Sequence, residues 1–238
     1  MNYIELFKNI IPPFIFNYIK FFYNKKPKYF GLNLLDKKLE KYLNYDSGFF
    51  VELGANDGKS QSNTLYFERY RNWKGVLVEP TPNKYLECIS NRSSASKIYC
   101  NACVSFQYSE KFVEIIYSNL MTTTSGLKSD ISDPESHAKD GKQYLKKNEV
   151  VFNFGSLAIT LNQLLLDSES PNLIDLLSLD VEGAELEVLK GIDHEIFKFK
   201  YICIETRSFD VINEFLVNLN YKLEEKLTHH DYLFKFNC

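Results

Sequence analysis

Apolar positions in this chain fall into two kinds of run. Short unbroken runs end at a polar or glycine residue, and between them lie segments with helical spacing. Phe49 to Leu53 stops at Gly54 and reads as a buried strand. Gly75 to Glu79 reads the same way, with a helical pattern over residues 61–70 between the two. Thr81-Pro82 is a helix start, with Thr at the N-cap and Pro at the first helical position, and that helix runs to about Asn91. Lys97 to Val104 is a third strand, and Leu176 to Val181 a fourth. A short helix over Ala184 to Lys190 follows, closed by Gly191 as a C-cap. Tyr201 to Glu205 is a fifth strand. Ser208 caps a helix whose residues Phe209, Ile212, Phe215, Leu216 and Leu219 share one face. Tyr221 to Leu227 and Tyr232 to Phe236 form a hairpin around Thr228 to Asp231.

Strands alternating with helices predict a doubly wound, mostly parallel sheet of the α/β class, seven strands wide, with an antiparallel terminal strand. Ligands of such sheets bind beyond the carboxyl ends of the strands. One stretch breaks the alternation. Residues 106–150 hold a single strand-like run, Phe112 to Tyr117, and then a polar region from Asn119 to Lys147, which reads as a substrate loop inserted into the domain. The organisation read from the sequence is an N-terminal helical arm over 1–45 and one catalytic domain over 46–238.

The strand ends carry the candidate chemistry. The first ends in Glu52-Leu53-Gly54-Ala55-Asn56-Asp57-Gly58. Its G-x-x-x-G spacing differs from the G-x-G-x-x-G of dinucleotide sites, and Glu52 would repel a pyrophosphate but suit a cationic ligand. Glu79 ends the second strand, 21 residues after Gly58, placed to accept two ribose hydroxyls. Asn101-Ala102 ends the third, where an amide could read a base edge. S-adenosylmethionine (SAM) has a sulfonium, an ammonium and no phosphate, and these three strand ends suit it. Asp180, Glu182 and Glu205 follow at the fourth and fifth strand ends, as general-base candidates or as oxygen ligands for a divalent cation such as Mg²⁺. Asp180 and Glu182 share a face if the strand extends through them.

Composition narrows the classes. A net charge of −3 speaks against a nucleic-acid partner. Residues 1–41 carry eight Lys against three acids, a net of +5, which leaves −8 for the rest. Those lysines flank Phe14 to Phe22, so the arm is read as packed on its own domain, as a homodimer contact, or as a peripheral contact with an anionic membrane. No run is long and apolar enough to span a membrane, and the expected location is cytoplasmic, with that arm as the candidate for peripheral membrane contact. Five cysteines without regular spacing argue against a disulfide framework, and Cys100-x-x-Cys103 lacks the second pair a zinc site needs.

The motifs Phe50 to Gly58, Ser62-Asn63-Thr64, Trp73 to Pro80, Leu179 to Glu185 and Leu189-Lys190-Gly191 together resemble the FkbM-type SAM-dependent methyltransferases, over roughly Gly48 to Glu205. The resemblance implies the class I methyltransferase fold and methylation of oxygen on sugars or polyketide-like products. It implies that Glu52, Gly54, Ala55, Asn56, Asp57 and Gly58, with Ser62 and Asn63, hold the methionine part of SAM. Glu79 would take its ribose, with Asn101 and Ala102 near the adenine. The acceptor would be a glycan or nucleotide-sugar, touched by Thr123, Thr124 and Ser125 of the loop and by His137. The looser likeness of the Ile10-Ile11-Pro12-Pro13 leader to enzymes that modify surface polysaccharides suggests that pathway. Two rivals stand beside this reading: a catalytically silent interaction protein on the same fold, and a nicotinamide dehydrogenase, against which the glycine spacing speaks.

Overall fold

A computed structural model of the protein describes residues 28–237. Helix α1 (Leu35–Glu40) precedes strand β1 (Phe49–Leu53), helix α2 (Leu65–Arg71), strand β2 (Lys74–Val78), helix α3 (Pro82–Asn91) and strand β3 (Lys97–Tyr99). Strands β4 (Ala102–Cys103), β5 (Phe112–Tyr117) and β6 (Thr123–Ser125) follow, then helix α4 (Pro134–Asp140) and strand β7 (Phe152–Ile159). The chain closes with α5 (Leu161–Asp167), β8 (Leu173–Leu179), α6 (Glu185–Leu189), β9 (Lys198–Glu205), α7 (Phe209–Asn218), β10 (Tyr221–Lys226) and β11 (Asp231–Phe236).

The large sheet has seven strands in the order β10-β11-β9-β8-β1-β2-β3. Pairing is parallel from β3 through β9, and β11 is antiparallel to both of its neighbours. The expected doubly wound α/β sheet with an antiparallel terminal strand is therefore present. Its central strands are apolar throughout because both faces are covered. Val51, Leu53, Leu177 and Leu179 enter one core, and Phe50, Leu77 and Leu176 enter the other. The chain reverses between β1 and β8, so the carboxyl ends of these two strands flank the crevice where such sheets bind ligands.

Two sequence expectations change here. The run from Lys97 to Val104 is not one strand. Its first half pairs with β2, and its second half leaves the sheet to pair with β7. Asn101 sits at the crossing, where its Nδ2 donates to the Leu157 carbonyl at 3.2 Å. The inserted region is also not a plain polar loop. With β7 it builds a second sheet, β4-β7-β5-β6, over a small core of Ala102, Val104, Val113 and Ile115. The missed strand β7 is largely exposed, so its apolar alternation is weak.

Glycines act mainly by close approach. A Cβ on Gly54 (φ +76°) would lie 1.8 Å from the Asp180 carbonyl oxygen. Gly54→Ala is expected to cost about 3 kcal/mol or more, from strain at positive φ plus a backbone clash; a thermal melt within a degree of wild type would contradict this. Gly191 does not terminate its helix in the left-handed conformation. A Cβ there would meet the Val104 carbonyl oxygen at 2.0 Å, so it is small to let the second sheet pass.

The described part of the arm packs on its own domain. Lys38 Nζ donates to the Leu227 carbonyl at 2.6 Å, the Tyr42 hydroxyl to Glu225, and the Tyr45 hydroxyl to Asp175. Leu35, Leu39 and Leu43 join the core beneath the sheet. The membrane-contact expectation rests on Phe14 to Phe22, outside the described residues. No helix among the described residues is long and apolar enough to cross a membrane.

Candidate active site

A cavity of about 470 Å³ opens at the carboxyl ends of β1, β2, β8 and β9. Its walls include Gly54, Ala55 and Asn56 from the first turn, Glu79 and Pro80 from the second, and Asn101 to Cys103 from the crossing. Asp180 to Glu182, Glu205 and Asp231 close the far end. The second sheet roofs it with Ile115 and Asn119 to Thr124, and the arm supplies Leu32 and Leu35.

The first turn is held by carboxylates at both ends. Glu79 is buried. It accepts the backbone N–H of Asn56 at 2.8 Å through one oxygen and that of Thr81 at 2.9 Å through the other. Burial pushes its carboxyl pKa up, and those N–H donors oppose the shift. Thr81 and Ser208 occupy N-cap positions, yet neither side chain makes the capping bond.

Glu52 is also buried, and its oxygens are occupied. They accept from the Ser62 hydroxyl at 3.0 Å, the Asn63 N–H at 3.1 Å, the Thr64 hydroxyl at 2.6 Å and Arg92 Nη1 at 3.0 Å. Arg92 additionally meets Glu68 at 3.3 Å and the Gly58 carbonyl at 3.1 Å. Glu52 thus ties the 58–64 loop to the strand, and nothing in the sequence around Arg92 marks it as the partner. Asp57 and Gly58 do not line the cavity. Asp57 turns outward to accept from Lys59 and Ser60, and Gly58 is packed against Cys88 and Arg92. In this structure the contacts of both residues are with the protein and lie outside the cavity.

The acceptor-side expectations divide similarly. Thr123 and Thr124 line the cavity, whereas Ser125 and His137 do not. Thr123 donates to the Glu182 carbonyl at 2.9 Å, and the Thr124 hydroxyl is buried without a partner. His137 Nε2 lies 3.1 Å from Glu182 Oε2, behind the wall. β8 ends at Leu179, so Asp180 and Glu182 do not share a strand face. Glu182 takes a left-handed backbone (φ 51°) and binds Arg207 at 3.2 Å.

Asp180 and Glu205 remain. Neither side chain has a hydrogen bond or ion pair among the described residues. Burial, then the carboxylates of Glu205, Glu182, Glu185 and Asp231, raise the Asp180 carboxyl well above the usual range. Burial and the charges of Glu182 and Asp231 lift Glu205 to about 7, against the pull of Arg207. A carboxyl poised near neutrality in a cleft is suited to proton transfer. The metal reading finds no support: among the described residues no three His, Cys, Asp or Glu side chains come together as a metal-ligating group. Of the three proposed ligands, Glu182 is already paired with Arg207.

Glu185 lies just behind this end. It accepts the N–H groups of Val181 and Gly183, both at 3.1 Å, through one oxygen, and burial raises its pKa to about 7. A raised folded-state carboxyl contributes stability that is full below the unfolded pKa and lost as pH rises through the folded one. Glu185→Gln is therefore expected to remove part of a decline in stability between about pH 4.5 and pH 7, on the order of 2–3 kcal/mol. Melting curves across that range check it, and an unchanged slope would contradict it.

A family model described as the methyltransferase FkbM domain matches residues 52–234. The chain belongs to the FkbM methyltransferase family. No curated protein matches it. Among solved structures it is similar to a precorrin-6Y C5,15-methyltransferase from Geobacter metallireducens, at 13% identity over 85% of this chain and 87% of that one, with a TM-score of 0.43. It is also similar to a chain of a fibrillarin/Nop5p complex, at 10% identity over 81% of this chain and 73% of that one, with a TM-score of 0.40. For a methyltransferase of this family, the cavity at the sheet's carboxyl edge is the candidate active site. Residues the sequence reading did not single out also line it: Asn119, Tyr144, Ser178, Arg207 and Asp231. They come from five separate segments, and no local motif joins them.

Proposed function

We propose that this methyltransferase uses SAM and methylates a hydroxyl oxygen of a sugar-like acceptor. The charge of the cavity supports the cofactor. Its acidic and basic lining among the described residues is Glu52, Glu79, Asp180, Glu182, Glu205 and Asp231 against Arg207 alone. That set fits a ligand with a sulfonium and an ammonium and offers little to a pyrophosphate. Gly54, Ala55 and Asn56 would hold the methionine end, Glu79 the ribose, and Asn101 with Ala102 the base. SAM supplies the electrophilic methyl group when bound.

The observation that carries the reading is Asp180. It is a carboxyl without a partner at the end of the central strand, directly behind the first turn. Asp180 N–H donates to the Leu53 carbonyl at 3.3 Å, which fixes the residue against that turn. The protein's task is to orient the acceptor hydroxyl and receive its proton. Asp180 is assigned that role, with Glu205 beside it to hold the acceptor. Thr123 and Thr124 of β6 and Leu32 and Leu35 of the arm line the same cavity.

Calorimetric titration with SAM tests the cofactor half. Binding is expected, and no heat with SAM would return the chain to a silent member of its fold. Mass spectrometry of surface glycans and sugar nucleotides, with and without the gene, tests the acceptor half. The expected difference is about 14 Da per methyl group.

A further inference from the structure

Helix α1 has two faces. Leu35 and Leu39 enter the core beneath the sheet, while Leu34, Lys37 and Lys41 are exposed at helical spacing. These three share an open groove with Lys38, Glu40 and Arg71. Arg71 is taken by Glu40 at 2.7 Å and by Asp46 at 3.6 Å. Asp36, the other acid of the helix, is buried and accepts the backbone N–H groups of Phe30 and Lys37. Lys28 and Lys37 both stand over the Tyr29 ring, at 5.2 and 5.7 Å, so Lys28 joins the same patch. Among the described residues none of Lys28, Lys37, Lys38 and Lys41 forms an ion pair, and Lys38 Nζ donates to the Leu227 carbonyl. The face is therefore cationic.

Two leucines stand among these lysines. Leu32 and Leu34 are 51% and 50% exposed. Asn33 and Leu34 both take the left-handed backbone, at φ 52° and φ 58°. A leucine is strained there, and this one leaves its side chain in water rather than in the core. The chain ahead of Lys28 extends the same composition. It carries Lys8, Lys20, Lys25 and Lys26 against Glu5 alone, with an apolar run from Phe14 to Ile19. It joins the described residues at Lys28, on the patch itself.

We infer that the face formed by Lys28, Leu34, Lys37 and Lys41 docks on an anionic lipid bilayer. Lysine ammonium groups meet lipid phosphates, and the leucines enter the boundary between headgroups and acyl chains. A small anion would satisfy the lysines but leave the leucines in water. A second copy seated face to face would set lysines against lysines. Leu32 also lines the candidate active-site cavity, so the docked surface adjoins that site.

The experiment sediments the full chain with vesicles of phosphatidylcholine alone or of equimolar phosphatidylcholine and phosphatidylglycerol. Binding to the anionic vesicles is expected at low salt, with release at about 1 M NaCl, where charges are screened within about 3 Å. Lys37→Gln and Lys41→Gln are each expected to weaken binding about fivefold, and the pair about 25-fold. The Lys37→Arg, Lys41→Arg double variant keeps the charge and is expected to bind as wild type. Leu34→Asn is expected to weaken binding severalfold while the melting temperature holds, because Asn accepts the left-handed backbone. Equal binding to both vesicles, no binding to the anionic ones, or wild-type binding by the double Gln variant overturns the inference. A solution dimer that the double Gln variant dissolves would assign the face to a second copy and overturn it too. Vesicle binding is read without SAM or acceptor, so its outcome is separate from the methyltransferase reading.

Discussion

Replacing Asp180 by Asn is expected to lower kcat by about two to four orders of magnitude, the range for loss of a positioned general base. The isosteric amide cannot take the acceptor's proton. SAM affinity is expected to stay within about tenfold, because the first turn is held by Glu79 and by the loop that Glu52 organises. The pH profile is the more telling readout. A base acts when deprotonated, and Asp180 and Glu205 both titrate above ordinary carboxyls. The wild-type kcat/KM should therefore still be rising with pH well above the ordinary carboxyl range, where both groups titrate. The residual rate of Asp180→Asn should lack the Asp180 limb of that rise. Full turnover in both Asp180→Asn and Glu205→Gln, with SAM still bound, would end the carboxylate mechanism.

Replacing Arg92 by Met is expected to destabilise the fold by about 3–5 kcal/mol, since it strands buried carboxylates. Its side chain is fully buried and pairs with Glu52 at 3.0 Å and Glu68 at 3.3 Å, both carboxylates themselves almost fully buried. For a domain of this size the melting temperature should fall by about 10 °C or more. Adding Glu52→Gln should restore part of the loss, because one of the stranded charges is gone. A melt within about 2 °C of wild type for Arg92→Met would show that water already screens the cluster. The effect on catalysis would be indirect, through the 58–64 loop, and should appear in SAM affinity before kcat.

The strand ends illustrate how far a sequence reading reaches. Glu79, Asp180 and Glu205 were identified because an apolar run stops at an acid, and the parallel sheet brings such stops to one edge. Asp57 and Gly58 lie in the same motif, yet they face away from the cavity. A turn with Asn56 at φ 46° reverses direction within two residues, and composition does not record which side faces in. His137 lies in the insertion, the segment from which the sequence predicts acceptor contacts. It stands behind the wall, on Glu182.

What the sequence determined by itself was the doubly wound sheet, its family and the order of its strand ends. These follow from local apolar runs, turn residues and helix spacing, all short-range properties of the chain. The tertiary structure decided which carboxylates are free. Glu52 is neutralised by Arg92, 40 residues away, and Glu182 by Arg207, 25 residues away. Asp231 meets Glu205 because an antiparallel strand is added at the sheet edge. Charge pairing is set by distance in space, and the fold sets Asp180, Glu205 and Asp231 around one cavity with no ion pair to any of them among the described residues.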